Sequence, residues 1–421
     1  MNSIVPALSS IVFAFLDFLD LILCFFYKFA DSLLEETSLP CYCHHENSAE
    51  NRVRDAIDEE DEVSETLNRR ENRFRAFLIR IQKMGFLKMR EKERNEEAGG
   101  ALMRPRWSDC HCEACVSWLG KEKQLLHVAV REPAPGPKGN KVEDVILIHG
   151  ILSSSLIFTE TVFHNLSDNA DGKFRLFAPD LLGFGRSPKP FESLYRLKDH
   201  LGKIEDSVIK PFGIESFHLV AHSMGSIIAL ALAAKYPNAV KSITIIGPPY
   251  FPTSSMEKAS FTALIGLAER RIWPLLLFWS SVMSWYEHLG RTVCFIICKH
   301  HRFWVWIIKL FTFNRGKHFI ISDLTKHTHH SAWHNMHNVI CGGAKYMDNY
   351  LETVKRSGCP LKILLGGNDH LVPMKCGFQI KQKVPSAEVE VIPNADHCTV
   401  ILKREREFTR DLEHFWAFAS T

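Results

Sequence analysis

Val220-Ala221-His222-Ser223-Met224-Gly225 is the stretch on which the reading of this chain turns. It follows Phe217-His218-Leu219-Val220, which reads as a buried strand. It precedes Ser226 to Lys235, an Ile-, Leu- and Ala-rich run that reads as a helix. A serine at a strand-to-helix turn, with a small residue two before it and a glycine two after, has the pattern of a nucleophile elbow. The turn is tight, so residues 221 and 225 must be small for strand and helix to pass each other. The serine hydroxyl is then held out above a sheet, at the positive end of a helix. Glycine is usual at the first small position, and Ala221 departs from it by one methyl.

Outward from this turn, strands and helices alternate. Val142 to Ile148 is a β-branched run ending in His149-Gly150, and Phe174 to Ala178 ends in Pro179-Asp180. Gln124 to Arg131 and Val240 to Ile246 also read as strands. So do Leu361 to Leu365, ending in Gly366-Gly367-Asn368-Asp369, and Glu388 to Ile392, ending in Pro393-Asn394-Ala395-Asp396-His397. Helical patterns cover Thr159 to Asn165, Leu194 to Ile209, and a final run from about Cys398 to Ala419. Alternation of this kind predicts an α/β fold with a mostly parallel sheet and helices on both faces. Its ligand sites belong at the carboxyl ends of the strands, where His149-Gly150, Asp180 and Ser223 all fall.

A serine hydroxyl needs a base to take its proton, and that base needs a carboxylate to orient it. Ser223, Asp369 and His397 occur in a nucleophile–acid–base order, and both partners follow late strands. They are the expected catalytic residues, with Asp180 and Asp348 as alternative acids. The oxyanion needs two backbone N–H donors. Met224 supplies one and Ile151 the other, with Leu152 as the alternative. His222 is expected to pack beside the turn.

The remaining sequence bounds the setting. The chain has 421 residues, enough for one large domain plus additions. A net charge of +3 gives no footprint for nucleic acid. Residues 1–30 form a hydrophobic segment of a length that suits a membrane anchor or signal. Asp17 and Asp20 lie within it, each costing about 2.5–3.5 kcal/mol on insertion scales. No basic leader and no small-residue cleavage site accompany it, so an anchor or membrane-embedded hairpin is favoured over a cleaved signal or a soluble amphipathic helix. Residues 31–106 read as a charged linker, with the acidic run Asp58-Glu59-Glu60-Asp61-Glu62. Residues 107–249 and 346–421 read as two parts of one catalytic core, separated by an apolar helical cap over 250–345 with Trp273, Trp279, Trp285, Trp304 and Trp306.

Two Cys/His clusters flank the most charged part of the linker, Glu46 to Glu97: Cys41-Tyr42-Cys43-His44-His45 and Cys110-His111-Cys112-Glu113-Ala114-Cys115. Their spacing is not that of a zinc finger, and no second pair stands at the expected distance, so free thiols or a disulfide are expected there rather than a metal. His327, His329, His330, His334 and His337 lack the intervening glutamate of a metalloprotease helix. No metal and no cofactor are expected.

His149-Gly150, Ala178-Pro179-Asp180-Leu181-Leu182-Gly183-Phe184-Gly185-Arg186-Ser187, the turn at Ser223 and Gly367-Asn368-Asp369-His370-Leu371-Val372-Pro373 together resemble the α/β-hydrolase family. The hydrophobic leader, Trp107-Ser108-Asp109-Cys110 and Gly247-Pro248-Pro249-Tyr250-Phe251-Pro252 resemble more narrowly the plant BODYGUARD-type hydrolases. That resemblance implies a lysophospholipase-like enzyme at the cell wall or membrane, reached by the secretory pathway and needed for cuticle and cutin formation. The expected partners are a lipid-like ester substrate and, through the leader, a membrane. The same acyl-enzyme could pass its acyl group to an alcohol, as an acyltransferase or polyester synthase does, and a non-catalytic receptor or scaffold is the third reading. Asn165-Leu166-Ser167 offers a glycosylation site if the catalytic part enters the lumen.

Overall fold

In a computed structural model, the described residues are 4–35, 42, 63–68, 70, 72–77, 106–117, 125–134, 142–311 and 323–420. The cluster at 41–45, apart from Tyr42, and the acidic run at 58–62 lie outside them.

The strands are β1 (Val128–Arg131), β2 (Glu143–Ile148), β3 (Phe174–Pro179), β4 (Phe217–His222), β5 (Val240–Ile246), β6 (Leu361–Gly366) and β7 (Glu388–Ile392). They form a seven-stranded sheet in the order β1-β3-β2-β4-β5-β6-β7. Only β1 runs antiparallel to its neighbour. Alternating side chains feed two cores. Ile146, Ile148, Leu219 and Ala221 face one, and Val145, Leu147 and Val220 face the other. From β2 the chain steps out to β3 and then returns past β2 to β4. The strand order therefore reverses between β2 and β4, which opens a crevice at their carboxyl ends.

The helices are α1 (Ile4–Leu34), α2 (Leu197–Ile204), α3 (Met224–Lys235), α4 (Met256–Leu267), α5 (Leu275–Trp285), α6 (Glu287–Ile297), α7 (His301–Phe311), α8 (His329–His334), α9 (Met347–Ser357), α10 (Lys375–Lys383) and α11 (Glu405–Ser420). Helices α4 to α8 interrupt the alternation between β5 and α9 as an insertion over the sheet's carboxyl edge, with a π-helical turn over Asn335–Cys341 closing it. The last helix begins at Glu405, later than Cys398. Residues 398–403 form turns that end at Lys403, whose φ of 72° no helix accommodates. Asn165 is half-buried, its Nδ2 donating to the Thr161 carbonyl at 2.6 Å.

Helix α1 is long and apolar enough to cross a membrane by length and composition. Its packing is inverted relative to a soluble helix. Phe13, Asp17, Asp20, Cys24, Tyr27 and Asp31 are buried, at spacings of four and three that define one face. Ile11, Phe15, Phe18, Ile22, Phe25 and Phe29 are exposed on the other side. The buried face carries the polar partners. Asp20 Oδ1 accepts the N–H groups of His288 and Leu289 at 3.0 and 3.3 Å, in the first turn of α6. Asp31 accepts both Arg291 Nη atoms at 2.7 Å, Arg106 Nη2 at 2.7 Å and Trp107 Nε1 at 2.7 Å. Asp20 and Asp31, which would burden a lipid-embedded helix, are thus paired to protein.

Parts of the charged stretch also dock. Leu67 is buried, Lys345 Nζ donates to Glu65 Oε1 at 2.5 Å, and Arg70 stacks 4.1 Å from the Trp333 ring. Asn72 Nδ2 donates to the Asp17 carbonyl at 2.9 Å.

Candidate active site

Ser223 stands between the end of β4 and the start of α3 with φ 53° and ψ −122°. A non-glycine residue there is strained. Its N–H donates to the Ile246 carbonyl at 2.8 Å, which ties the turn to the end of β5. Gly225 lets α3 lie against β2, since a Cβ there would be 2.5 Å from the Ile148 carbonyl oxygen and 2.6 Å from that of His149.

Asp369 and His397 meet across the ends of β6 and β7. His397 Nδ1–H donates to Asp369 Oδ2 at 2.7 Å. The other carboxylate oxygen accepts the N–H groups of Leu371 and Val372 at 2.9 and 2.8 Å, so the aspartate cannot rotate away. This arrangement leaves His397 Nε2 as the free ring nitrogen, able to take a proton. The two alternative acids are engaged elsewhere. Asp180 accepts the N–H groups of Ser155 and Arg186 at 2.7 and 2.8 Å. Asp348 is bonded by Tyr250 and by Lys383.

His222 packs against His397, with ring centroids 4.7 Å apart. Burial, with His397 beside it, pushes its pKa down to about 3, so the ring is neutral at physiological pH. Its Nε2–H donates to the His397 carbonyl at 2.9 Å and fixes the backbone that carries that histidine.

The loop after β2 is set by His149. The Leu181 N–H donates to His149 Nε2 at 2.8 Å, which makes Nδ1 the protonated nitrogen. That Nδ1–H donates to the Gly150 carbonyl at 2.7 Å. The Gly150–Ile151 peptide is planar and trans, so with its carbonyl turned to His149 the Ile151 N–H points the other way.

Ser223, His397, His222, Ile151 and Leu152 share one cavity of about 690 Å³, within the ordinary range for small-molecule sites. The cap supplies Leu267, Leu276, Trp279, Met283, Trp333 and Met336 to its walls. Asp323 is a polar exception. Burial pushes its pKa up to about 6, and it accepts the Ser154 hydroxyl at 2.5 Å. The histidine-rich run does not converge on one point. His330 Nε2 donates to the Ser193 carbonyl at 3.0 Å, His334 pairs with the Tyr42 hydroxyl at 2.8 Å, and His337 with Thr66 Oγ1 at 2.9 Å.

One residue of the site escapes the sequence reading. Gly247 follows β5 with φ 53°, and a Cβ there would lie 3.0 Å from the His397 ring and 3.5 Å from Asp369 Oδ2. The only signal in the sequence is a glycine directly after a strand, which many turns share.

A mostly parallel sheet with a serine elbow after its central strand defines an α/β-hydrolase fold. The family model for the alpha/beta hydrolase fold matches residues 145–269. The chain is 48% identical over 422 residues to "Probable lysophospholipase BODYGUARD 4" of Arabidopsis thaliana, covering 99% of this chain and 97% of that one. It is 39% identical to "Probable lysophospholipase BODYGUARD 1" of the same plant, covering 97% and 96%. The chain belongs to the BODYGUARD family of α/β-hydrolases, and it is a hydrolase of that fold.

Gly247→Ala tests how closely the strand end fits the Asp369–His397 pair. The added methyl meets a strained φ and the His397 ring together, and displacing a reacting group by about 1 Å costs about 10²-fold in rate. The expected outcome is a loss of that order in kcat/KM on a p-nitrophenyl ester, with circular dichroism unchanged. Full activity in the variant would show that the pair tolerates displacement.

Proposed function

We propose that this chain is a serine carboxylester hydrolase acting on lipid-like esters, of the lysophospholipid or cutin hydroxy-fatty-acid type. The observation that carries the reading is the shared cavity, in which Ser223 and His397 stand among apolar side chains of the cap. The names of the relatives add support for a lysolipid.

In this mechanism His397 Nε2 takes the Ser223 proton as Oγ attacks the ester carbonyl. Asp369 holds the Nδ1–H tautomer and stabilises the imidazolium that forms. The tetrahedral oxyanion is met by the Met224 N–H at the start of α3 and by the Ile151 N–H. His397 then protonates the leaving alcohol, and water repeats the sequence on the acyl-enzyme. The acyl chain lies along the cap wall.

The exposed apolar side of α1 is the membrane contact in this reading, as an interfacial helix rather than a span. Trp273, Leu276, Trp279, Phe303 and Trp306 extend an exposed apolar surface onto the cap. Leu276 and Trp279 also line the cavity, so a lipid could pass from that surface toward Ser223.

Ser223→Ala should abolish both fluorophosphonate labelling and ester turnover in a folded protein, leaving only about 10³–10⁴-fold over water. Labelling that persists would remove the assignment. A series of p-nitrophenyl esters, used below micelle formation, reports the acyl pocket. Each buried CH₂ is worth about 0.8 kcal/mol, so kcat/KM should rise by up to about fourfold per carbon from acetate through octanoate. A profile that peaks at acetate would exclude the lipid ester and keep the serine chemistry. The membrane contact is read by flotation with phosphatidylcholine vesicles. The wild-type chain should float, and a Phe15→Glu, Ile22→Glu, Phe29→Glu triple variant should stay in solution. Equal flotation of both would exclude α1 as the contact.

A further inference from the structure

The segment before β1 carries Cys110, Cys112 and Cys115 in a C-x-C-x-x-C spacing that is one ligand short of a metal site. The fold brings up a fourth. His301, the first residue of α7, places Nε2 at 3.4 Å from Cys112 Sγ and 3.6 Å from Cys115 Sγ. All four potential ligand atoms lie within 4.8 Å of one another. With Zn–S near 2.3 Å and Zn–N near 2.0–2.1 Å, a tetrahedral centre requires S···N edges of about 3.5 Å. The two edges match that figure.

We propose that Cys110, Cys112, Cys115 and His301 form a closed structural zinc site that fastens the segment before β1 to the cap. The chemistry of the donors selects the ion. Three thiolates and an imidazole are soft, and four protein ligands leave no position open for catalysis. On binding, the three thiols release their protons and neutral His301 gives its Nε2 lone pair, so metal binding is coupled to pH and to folding. The local backbone already suits a thiolate, since the Cys112 N–H points to Cys110 Sγ at 3.4 Å. A disulfide would use two of the three cysteines and leave the third with His301 alone.

The site joins elements that other contacts hold in register. Lys299 Nζ donates to the Trp107 carbonyl at 2.6 Å, and Arg291 Nε to Ser108 Oγ at 3.2 Å. Residues 106–117 contain only the single helical turn Glu113–Val116, so a metal is an effective way to fix them. A neighbouring group, Cys294, Cys298 and His327, offers three ligands among the described residues and serves as the control.

The test uses the full-length chain in detergent, made without a polyhistidine tag or chelator. Zinc is counted by inductively coupled plasma mass spectrometry. About one zinc per chain should be lost in Cys112→Ser and in His301→Ala, and retained in His327→Ala. Since a variant can lose metal by misfolding, cobalt(II) exchanged into the wild-type chain gives an independent reading. It should show thiolate-to-cobalt charge transfer and the intense d–d bands of a tetrahedral centre, absent from His301→Ala. A folded wild-type chain that binds neither metal overturns the proposal. So does zinc that survives both substitutions, and so does a disulfide between any two of the three cysteines in the folded chain.

Discussion

The strained backbone at Ser223 is the constraint on which the site depends. A residue held at φ 53° and ψ −122° costs about 1–3 kcal/mol. The surroundings outweigh that cost. Residues Met224 to Ala233 of α3 are all buried, and each large apolar side chain among them gains about 1.5–3 kcal/mol on burial. The hydrogen bond from Ser223 N–H to Ile246 then carries the geometry across to β5. At the next residue, Gly247, any Cβ would meet both His397 and Asp369. Strand ends that are adjacent in the sheet thereby bring together three side chains that lie far apart in sequence.

The sheet was legible in the sequence for a physical reason. Its strands are β-branched runs bounded by Gly, Pro and Asp, and both faces are covered, so apolar residues run without interruption. The order Ser223, Asp369, His397 was legible because each follows a strand whose end faces the crevice. Local chemistry at the edges was not. The run after His397 contains a helical pattern, yet Asp396 accepts the N–H groups of Cys398 and Thr399 at 2.9 and 2.8 Å and holds that stretch in a turn. A side chain competing with the helix for backbone donors leaves no periodic trace.

Helix α1 shows how a local observation needs distant partners before it can be read. Asp17 and Asp20 count against a lipid-embedded segment when each residue is weighed alone. Their spacing with Tyr27 and Asp31 marks a single face, but only the cap reveals what that face meets. Arg270 approaches Asp17 at 3.7 Å, His288 approaches Asp20 at 3.6 Å, and Arg291 pairs with Asp31 at 2.7 Å. The partners lie about 250 to 270 residues along the chain, as the 260-residue separation of Asp31 and Arg291 illustrates. Such a separation defeats any reading from local pattern.

A long separation also hides the fourth ligand of the proposed zinc site, since Cys115 and His301 are 186 residues apart. Both cases place the long-range specificity of this protein in the cap. The sheet orders its own strands through periodic apolar burial, whereas the cap is oriented by a few polar and sulfur contacts to segments that precede the sheet. A hydrophobic surface alone is non-directional and would let short apolar helices slide. Directed contacts at Asp20, Asp31 and His301 fix α6 and the start of α7, and α5, which precedes α6 directly, carries Trp279 and Met283 into the cavity wall. The shape of the cavity over Ser223 is therefore specified as much by the residues before the sheet as by the sheet itself.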